Sequence, residues 1–295
     1  MRMPILLFLG FSAFVAPVSA QSAPLLDIPV SKLETAGTRN LRESSTILVP
    51  TVLLNIAADG SLFAVRQSAA SEPPEYRFTV KGFDKEFLQG LAQRAQDDFV
   101  QQLRAKGLIV LTYADLKDHD AVLRLGRLKT KQTHLLPYRN DRFSAANYLI
   151  ATPSDEQAFK AGNAGNAATF RQVARELRAS VIVPEYWINA PQVWGENAAG
   201  YKSGFKETNV APGLDLYSAY FWLLNSDGAV GSLRLKDAVS NVAPSVGELR
   251  PAKAKPGKAT YQLTIDSTAY AAAVLRATMS INKTAAEILK SVTRP

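Results

Sequence analysis

The chain has 295 residues, a formal net charge of +8 and no cysteine. The missing cysteine excludes disulfides, thiol catalysis and Cys-rich zinc sites. The length is enough for a sizeable core in one or two domains, and that core alone must hold the fold.

Met1-Arg2-Met3 brings one positive charge, and Ile5 to Val15 is an apolar core. Pro17 breaks any helix, and Val18-Ser19-Ala20 sets small residues at a cleavage site. That order predicts a secretory signal peptide over residues 1–20, cleaved near Ala20. The apolar core is shorter than the roughly 20 residues of a spanning helix, so no transmembrane segment is expected after cleavage. Gln21 stands where a lipoprotein would carry Cys, so no lipid anchor is expected. Exported domains of eukaryotes are often cystine-rich. The expected location is therefore a bacterial periplasm, with secretion as the alternative.

Residues 21–45 read as a polar, flexible leader. The rest, 46–292, reads as one mixed α/β domain, with 46–80 as a candidate β-hairpin extension. Ile47 to Leu54 and Ser61 to Val65 are β-prone runs around Ala57-Ala58-Asp59-Gly60, which predicts a hairpin. Tyr76 to Val80 alternates as a strand. Asp84 is an N-cap candidate with Glu86 in the first turn. Leu88, Leu91, Ala95, Phe99 and Leu103 follow at helical spacing, and Gly107 suits the C′ position. The apolar run Leu108 to Tyr113 predicts a strand covered on both sides. Asp115 to Leu125 reads as a short helix, 126–147 as an irregular loop and Tyr148 to Ala151 as a short strand.

A second helix–strand unit follows, with a helix over 167–178 and a strand over 181–188. Pro184 removes a donor, which predicts an edge or a bulge. Residues 191–213 are Gly- and Asn-rich and read as a loop. Leu214 to Leu224, the Asp227-Gly228 turn and Ala229 to Leu235 make the strongest hairpin signal. Residues 240–258 read as a linker, 260–265 as a strand and 268–292 as a long helix. Helix–strand pairs mixed with hairpins predict a mixed sheet flanked by helices.

The helix ending Leu103-Arg104-Ala105-Lys106-Gly107 before Leu108-Ile109-Val110, the helix 167–178 before Val181-Ile182-Val183, and the hairpin about Asn225-Ser226-Asp227-Gly228 occur in a recognisable order. The order resembles the CsgG-like curli-assembly lipoproteins and the N-terminal domain of TolB. The resemblance implies a periplasmic α/β domain that binds or assembles envelope components. Unlike the CsgG-like channels, the chain has no lipidated Cys and no pair of membrane-facing hairpins with apolar alternation.

Glu185, Tyr186, Trp187 and Trp194 combine a carboxylate with aromatic rings, a set that binds sugars or peptides or simply packs. Arg124, Arg127, Lys129 and Lys131 form the densest basic stretch, and Arg250, Lys253, Lys255 and Lys258 a second. Neither has the aromatic interleaving of a base-stacking surface, so no nucleic-acid partner is expected. Asp118-His119-Asp120 reads as a polar helix end, because three consecutive side chains diverge. His134 reads the same way, and Gly162 to Asn166 as an entry loop to the second helix. No Gly-rich phosphate loop, HExxH or GxSxG is present, and no cofactor or metal is expected. The leading expectation is a non-enzymatic periplasmic module with an envelope protein or glycan as partner. An exported metal-independent hydrolase or small-ligand-binding protein is the alternative, and anionic-surface binding through the basic loops is a third reading.

Overall fold

The structure, a computed structural model, describes residues 24–41, 45–63, 75–123, 136–138, 145–159, 164–194, 209–225, 227–255 and 258–293. Residues 1–20, read from the sequence as a signal peptide, lie outside them. Strands β1 (Leu33–Ala36), β2 (Thr46–Val49), β3 (Leu53–Phe63) and β4 (Glu75–Lys81) precede helix α1 (Lys85–Ala105). Then come β5 (Ile109–Thr112), the single-turn α2 (Asp120–Leu123), β6 (Leu136–Tyr138), β7 (Ala145–Ala151) and α3 (Ala164–Glu176). The remaining strands are β8 (Ser180–Asn189), β9 (Gln192–Trp194), β10 (Asn209–Ala211), β11 (Leu214–Leu224), β12 (Val230–Leu235), β13 (Val239–Ala243), β14 (Gly247–Lys255) and β15 (Lys258–Ile265). Helix α4 (Ser267–Val292) closes the order.

Thirteen of these strands form one mixed sheet, whose main path is β1-β12-β11-β8-β3-β4-β15-β14. β9 and β10 pair separately. The fold is therefore a mixed α/β sheet with flanking helices, as the pattern of elements predicts. Among the described residues, no helix is long and apolar enough to cross a membrane.

β8 is central. One edge pairs antiparallel with β11 from Val181 to Asn189. The other pairs parallel first with β2, at Ser180 and Val181, and then with β3, from Glu185 to Ile188. Pro184 falls in the gap between those two partners, so its missing N–H fits an internal strand there. The expected sheet edge is corrected by that gap.

The two faces carry different helices. Ile47, Val49, Ile182, Tyr186 and Phe221 pack against α1 and α4. Leu48, Val181, Val183 and Trp222 pack against Phe170, Val173 and Ala174 of α3. Strand alternation puts neighbouring residues on opposite faces, so near-continuous apolar strands follow from two covered faces. Asp84 caps α1 by accepting from Phe87 N at 2.7 Å, and Asp266 caps α4 by accepting from Ala269 N at 2.8 Å. Gly107 ends α1 at φ +82, a conformation that disfavours a side chain.

Four expectations are corrected. The leader is built into the fold over residues 24–41: β1 pairs with β12, and the preceding segment lies along α4. There Arg276 Nε donates to Pro24 O (2.8 Å), Leu26 N to Ser280 Oγ (2.9 Å) and Thr284 Oγ1 to Ile28 O (2.6 Å). Four helical residues rise about 6 Å. Two extended residues rise about 6.6 Å. Side chains at every fourth helical position therefore meet every second residue of the segment, a match between two elements that leader composition does not encode.

The hairpin at Ala57–Gly60 is absent. β3 runs straight through it, with Gly60 paired to Phe78 on one side and Ala146 on the other. Two flanking strands outweigh a local turn signal. β5 is paired only with β2 among the described residues, and Ile109 is 58% exposed, so it is an edge strand rather than a doubly covered one. The expected linker 240–258 contains β13 and β14. β14 pairs only with β15, and its register shifts between Pro251 and Lys253. Prolines and lysines there mark a protected sheet edge. The basic side chains of Lys253, Lys255 and Lys258 lie outside the described residues.

Phe99 of α1 and Phe221 of β11 are both fully buried, with ring centroids 5.4 Å apart. Phe99→Ala is expected to lower unfolding stability by about 3–5 kcal/mol. Urea denaturation of the variant beside the parent protein measures it.

Candidate functional site

The sheet divides where β2 passes into β3. β5 pairs with β2 as far as Val49, and β7 pairs with β3 from Leu54 onward. Pro50, Thr51 and Val52 lie between them. From β2 the chain goes on through β3 and β4 to α1 on one face. From β5 it goes to α3 on the other face and returns as β8 on the far side of β2. Adjacent parallel strands whose connections leave to opposite faces open a crevice at their carboxyl ends.

A cleft of about 690 Å³ occupies that position. Gln93, Asp97 and Arg104 of α1 form one wall, Thr112 to Asp115 at the end of β5 another, and Ser154, Glu156 and Gln157 close it. A smaller apolar cavity of about 210 Å³, with Phe83, Leu88 and Ile150 in its lining, lies on the other side of the Asp155–Gln157 turn. Asp155 ties that turn to α1, pairing with Lys85 Nζ at 2.5 Å and accepting from Gln89 Nε2 at 2.9 Å. The Lys85 ammonium holds the Asp155 carboxyl below its ordinary range.

The cleft floor is a buried amide lock. Gln96 Nε2 donates to Val49 O at 3.0 Å, and Gln157 Nε2 donates to Pro50 O at 3.0 Å and to Gln96 Oε1 at 3.1 Å. Ser154 Oγ donates to Gln157 Oε1 at 3.2 Å, and Thr51 Oγ1 to Gln157 O at 2.9 Å. The two glutamines thus supply the donors that a neighbouring strand would supply elsewhere.

The open edge of β5 is closed in a similar way. Ile109 N bonds Ser45 O on the β2 side, so Val110 and Thr112 turn their backbone groups outward. Arg104 Nη2 donates to Val110 O at 2.9 Å, and Asp115 Oδ2 accepts from Thr112 N at 2.7 Å. Side chains occupying an edge oppose strand addition by another chain.

A second polar chain joins sheet and helices. Tyr186 OH donates to Asn282 Oδ1, while Asn282 Nδ2 donates to Ala95 O at 3.2 Å and Asp98 Oδ2 at 2.9 Å. Burial pushes the Tyr186 phenol well above its ordinary range, and burial also raises the Asp98 carboxyl.

Strand alternation separates the sequence-predicted cluster. Tyr186 is fully buried toward α1 and α4, whereas Glu185 and Trp187 stand half-buried on the opposite face. The side chain of Trp194 lies outside the described residues, as do Arg124, Arg127, Lys129, Lys131 and His134. His119 Nε2 lies 3.0 Å from Glu176 Oε2, linking α2 to α3. Among the described residues no three His, Cys, Asp or Glu side chains converge as metal ligands. Sequence reasoning missed Asn55, Gln96, Gln157 and Asn282. Three had a legible signal: Asn55 interrupts an apolar strand, and Gln96 and Asn282 sit on the buried stripes of their helices.

Gln96→Leu leaves Val49 O without its donor and is expected to cost about 1–3 kcal/mol. A Gln96→Leu/Gln157→Leu double-mutant cycle read by urea unfolding should return a coupling of about 0.5–3 kcal/mol. The second expectation concerns pH. A raised folded-state carboxyl favours the protonated form, so its stabilisation is present below the unfolded value and lost as pH rises through the folded one. Asp98→Asn should therefore gain stability relative to the parent as pH rises from about 3.5 to 7. Equal differences in urea midpoint at both pH values would remove Asp98 from that account.

Compared with protein-family models, with curated proteins and with solved structures, the chain matches none, so the site's chemistry rests on its own geometry.

Proposed function

We propose that this chain is a non-enzymatic module of the periplasm that binds or assembles cell-envelope components, with the cleft between α1 and β5 as its binding site. The observation that carries the reading is the cleft's place at the carboxyl ends of diverging parallel strands, where open α/β sheets take ligands. Its floor supports binding rather than bond-making. Gln96, Gln157 and Thr51 spend their hydrogen bonds on the chain itself, and Asp115 is spent on capping. The rim offers mixed charge through Asp97, Arg104, Asp115 and Lys117, which suits a polar partner of no single sign. The periplasmic setting is supported by the charge, apolar core and small-residue site of residues 1–20. The CsgG-like and TolB-like order of elements points the same way.

Two measurements test it. N-terminal sequencing of protein from a periplasmic fraction should begin at Gln21, and protein retained in the cytoplasm would overturn the location. A photo-crosslinking residue at Gln101, exposed in the cleft wall, should give one defined envelope adduct in cells. Gln93→Trp, which fills the cleft, should abolish it. The same adduct from the exposed position Lys283 on α4 would show that the cleft is not the contact.

A further inference from the structure

The split in the sheet leaves a second hollow besides the cleft. α1 contacts both β5 and β7. Its last turn reaches β5 through Arg104, and its first turns stand beside β7. There the start of α1, the end of β7 and the turn after it surround the cavity of about 210 Å³. Its walls are apolar: Phe83, Leu88, Leu149, Ile150, Ala151 and Ala158. Leu88, Ala151 and Ala158 are buried and form the base, whereas Phe83, Leu149 and Ile150 are half-buried and form the sides. The Thr152 hydroxyl in the lining donates to Ser154 O at 2.9 Å, so shape and apolar contact govern what the base accepts.

The mouth is charged. Lys85 and Asp155, both exposed, pair across it from α1 to the turn, and Gln89 gives Asp155 a second donor. Asp84 stands beside them. Two carboxylates against one ammonium leave the mouth negative. The hydrogen bond from Lys85 holds the Asp155 carboxyl below its ordinary range, so it stays ionised.

Protein interiors hold few voids larger than a water molecule, and water gains little in an apolar one. A cavity of about 150 Å³ walled by Leu, Ile and Phe holds benzene. This one is larger and similarly lined, which gives room for about six to eight carbon atoms. We propose that the cavity binds an alkylamine, with the hydrocarbon chain on Leu88, Ala151 and Ala158 and the ammonium group beside Asp155. The site is separate from the α1–β5 cleft and does not rest on that reading. A fatty acid of the same length is disfavoured, because Asp155 already occupies Lys85 and the mouth keeps a net negative charge.

The test titrates the full mature chain by calorimetry at low salt with butylamine, hexylamine, octylamine, 1-hexanol and hexanoate, each to about 10 mM. Affinity should rise about fourfold per added methylene from butylamine to octylamine. Hexylamine should bind more tightly than 1-hexanol, and 1-hexanol more tightly than hexanoate. Ala158→Leu, which fills the base, should weaken octylamine more than about tenfold. Asp155→Asn, at an exposed position, should weaken hexylamine about threefold and strengthen hexanoate, since Lys85 is then released. This second variant decides the matter where Ala158→Leu does not fold. No heat with octylamine would overturn the proposal. So would octylamine binding unchanged by Ala158→Leu, or hexanoate binding as tightly as hexylamine to the parent chain. Photo-crosslinking at Gln101 reads the cleft and not this cavity, so the two proposals fail separately.

Discussion

The structure depends on one discontinuity: the sheet splits between β5 and β7, and the chain crosses the split at Pro50–Val52. Backbone carbonyls inside a protein need donors, and here no strand is in register to supply them. Gln96 from α1 and Gln157 from the turn after β7 fill that role, and each also bonds the other. The lock therefore sets the position of α1, of the 155–157 turn and of the cleft between them at once. A purely apolar floor would leave the two carbonyls buried and unpaired, at about 1–3 kcal/mol each.

The same split explains the central strand. β8 can run beside β2 and then β3 because those two strands are offset ends of one interrupted path. Pro184 fits at the interruption, where a donor would have no strand to meet. Above this point the apolar side chains of both faces are taken up by α1 and α4 on one side and α3 on the other. The N-terminal segment then fastens to α4 by alternate residues, which makes residues 24–28 part of the core's closure rather than an appendage.

What could be read from sequence depended on whether the deciding partner was local. α1 was legible because its cap, apolar stripe and terminal glycine all lie within twenty-odd residues of one another. The β11–β12 hairpin was legible because Gly228 takes the positive φ its turn requires. The Asp59-Gly60 signal misled for the opposite reason. It is a local turn cue overridden by β4 and β7, strands that arrive from elsewhere in the chain. The leader misled because its partner α4 is distant in sequence, and the 240–258 segment misled because the prolines and lysines of an edge strand also mark a linker. At the site, alternation on β8 was enough to predict that Tyr186 and its neighbours face opposite ways. The amide lock was half visible, as a Gln on an apolar stripe, but its partner Gln157 lies in a short turn with no pattern of its own.

Three buried amides differ in how much of their hydrogen-bonding capacity the fold uses. Gln96 and Asn282 each have both a donor and an acceptor engaged, and each joins a helix to the chain beside it. Their polar cost is offset by the register they impose between layers. Asn55 differs, since its donor is spent and its acceptor is not. Fully buried Ser180 Oγ and Tyr270 OH are also unpaired, so the absence of a partner alone does not mark a site. Tyr270 is packed edge-on by Phe83, which accounts for its burial through the ring. Asn55 has no ring or aliphatic body to bury, so packing gives no reason for an amide there. What separates it from the other two is its company: a half-buried carboxylate, Glu185, and two half-buried aromatic rings, Trp187 and Tyr220, on the same face of the sheet.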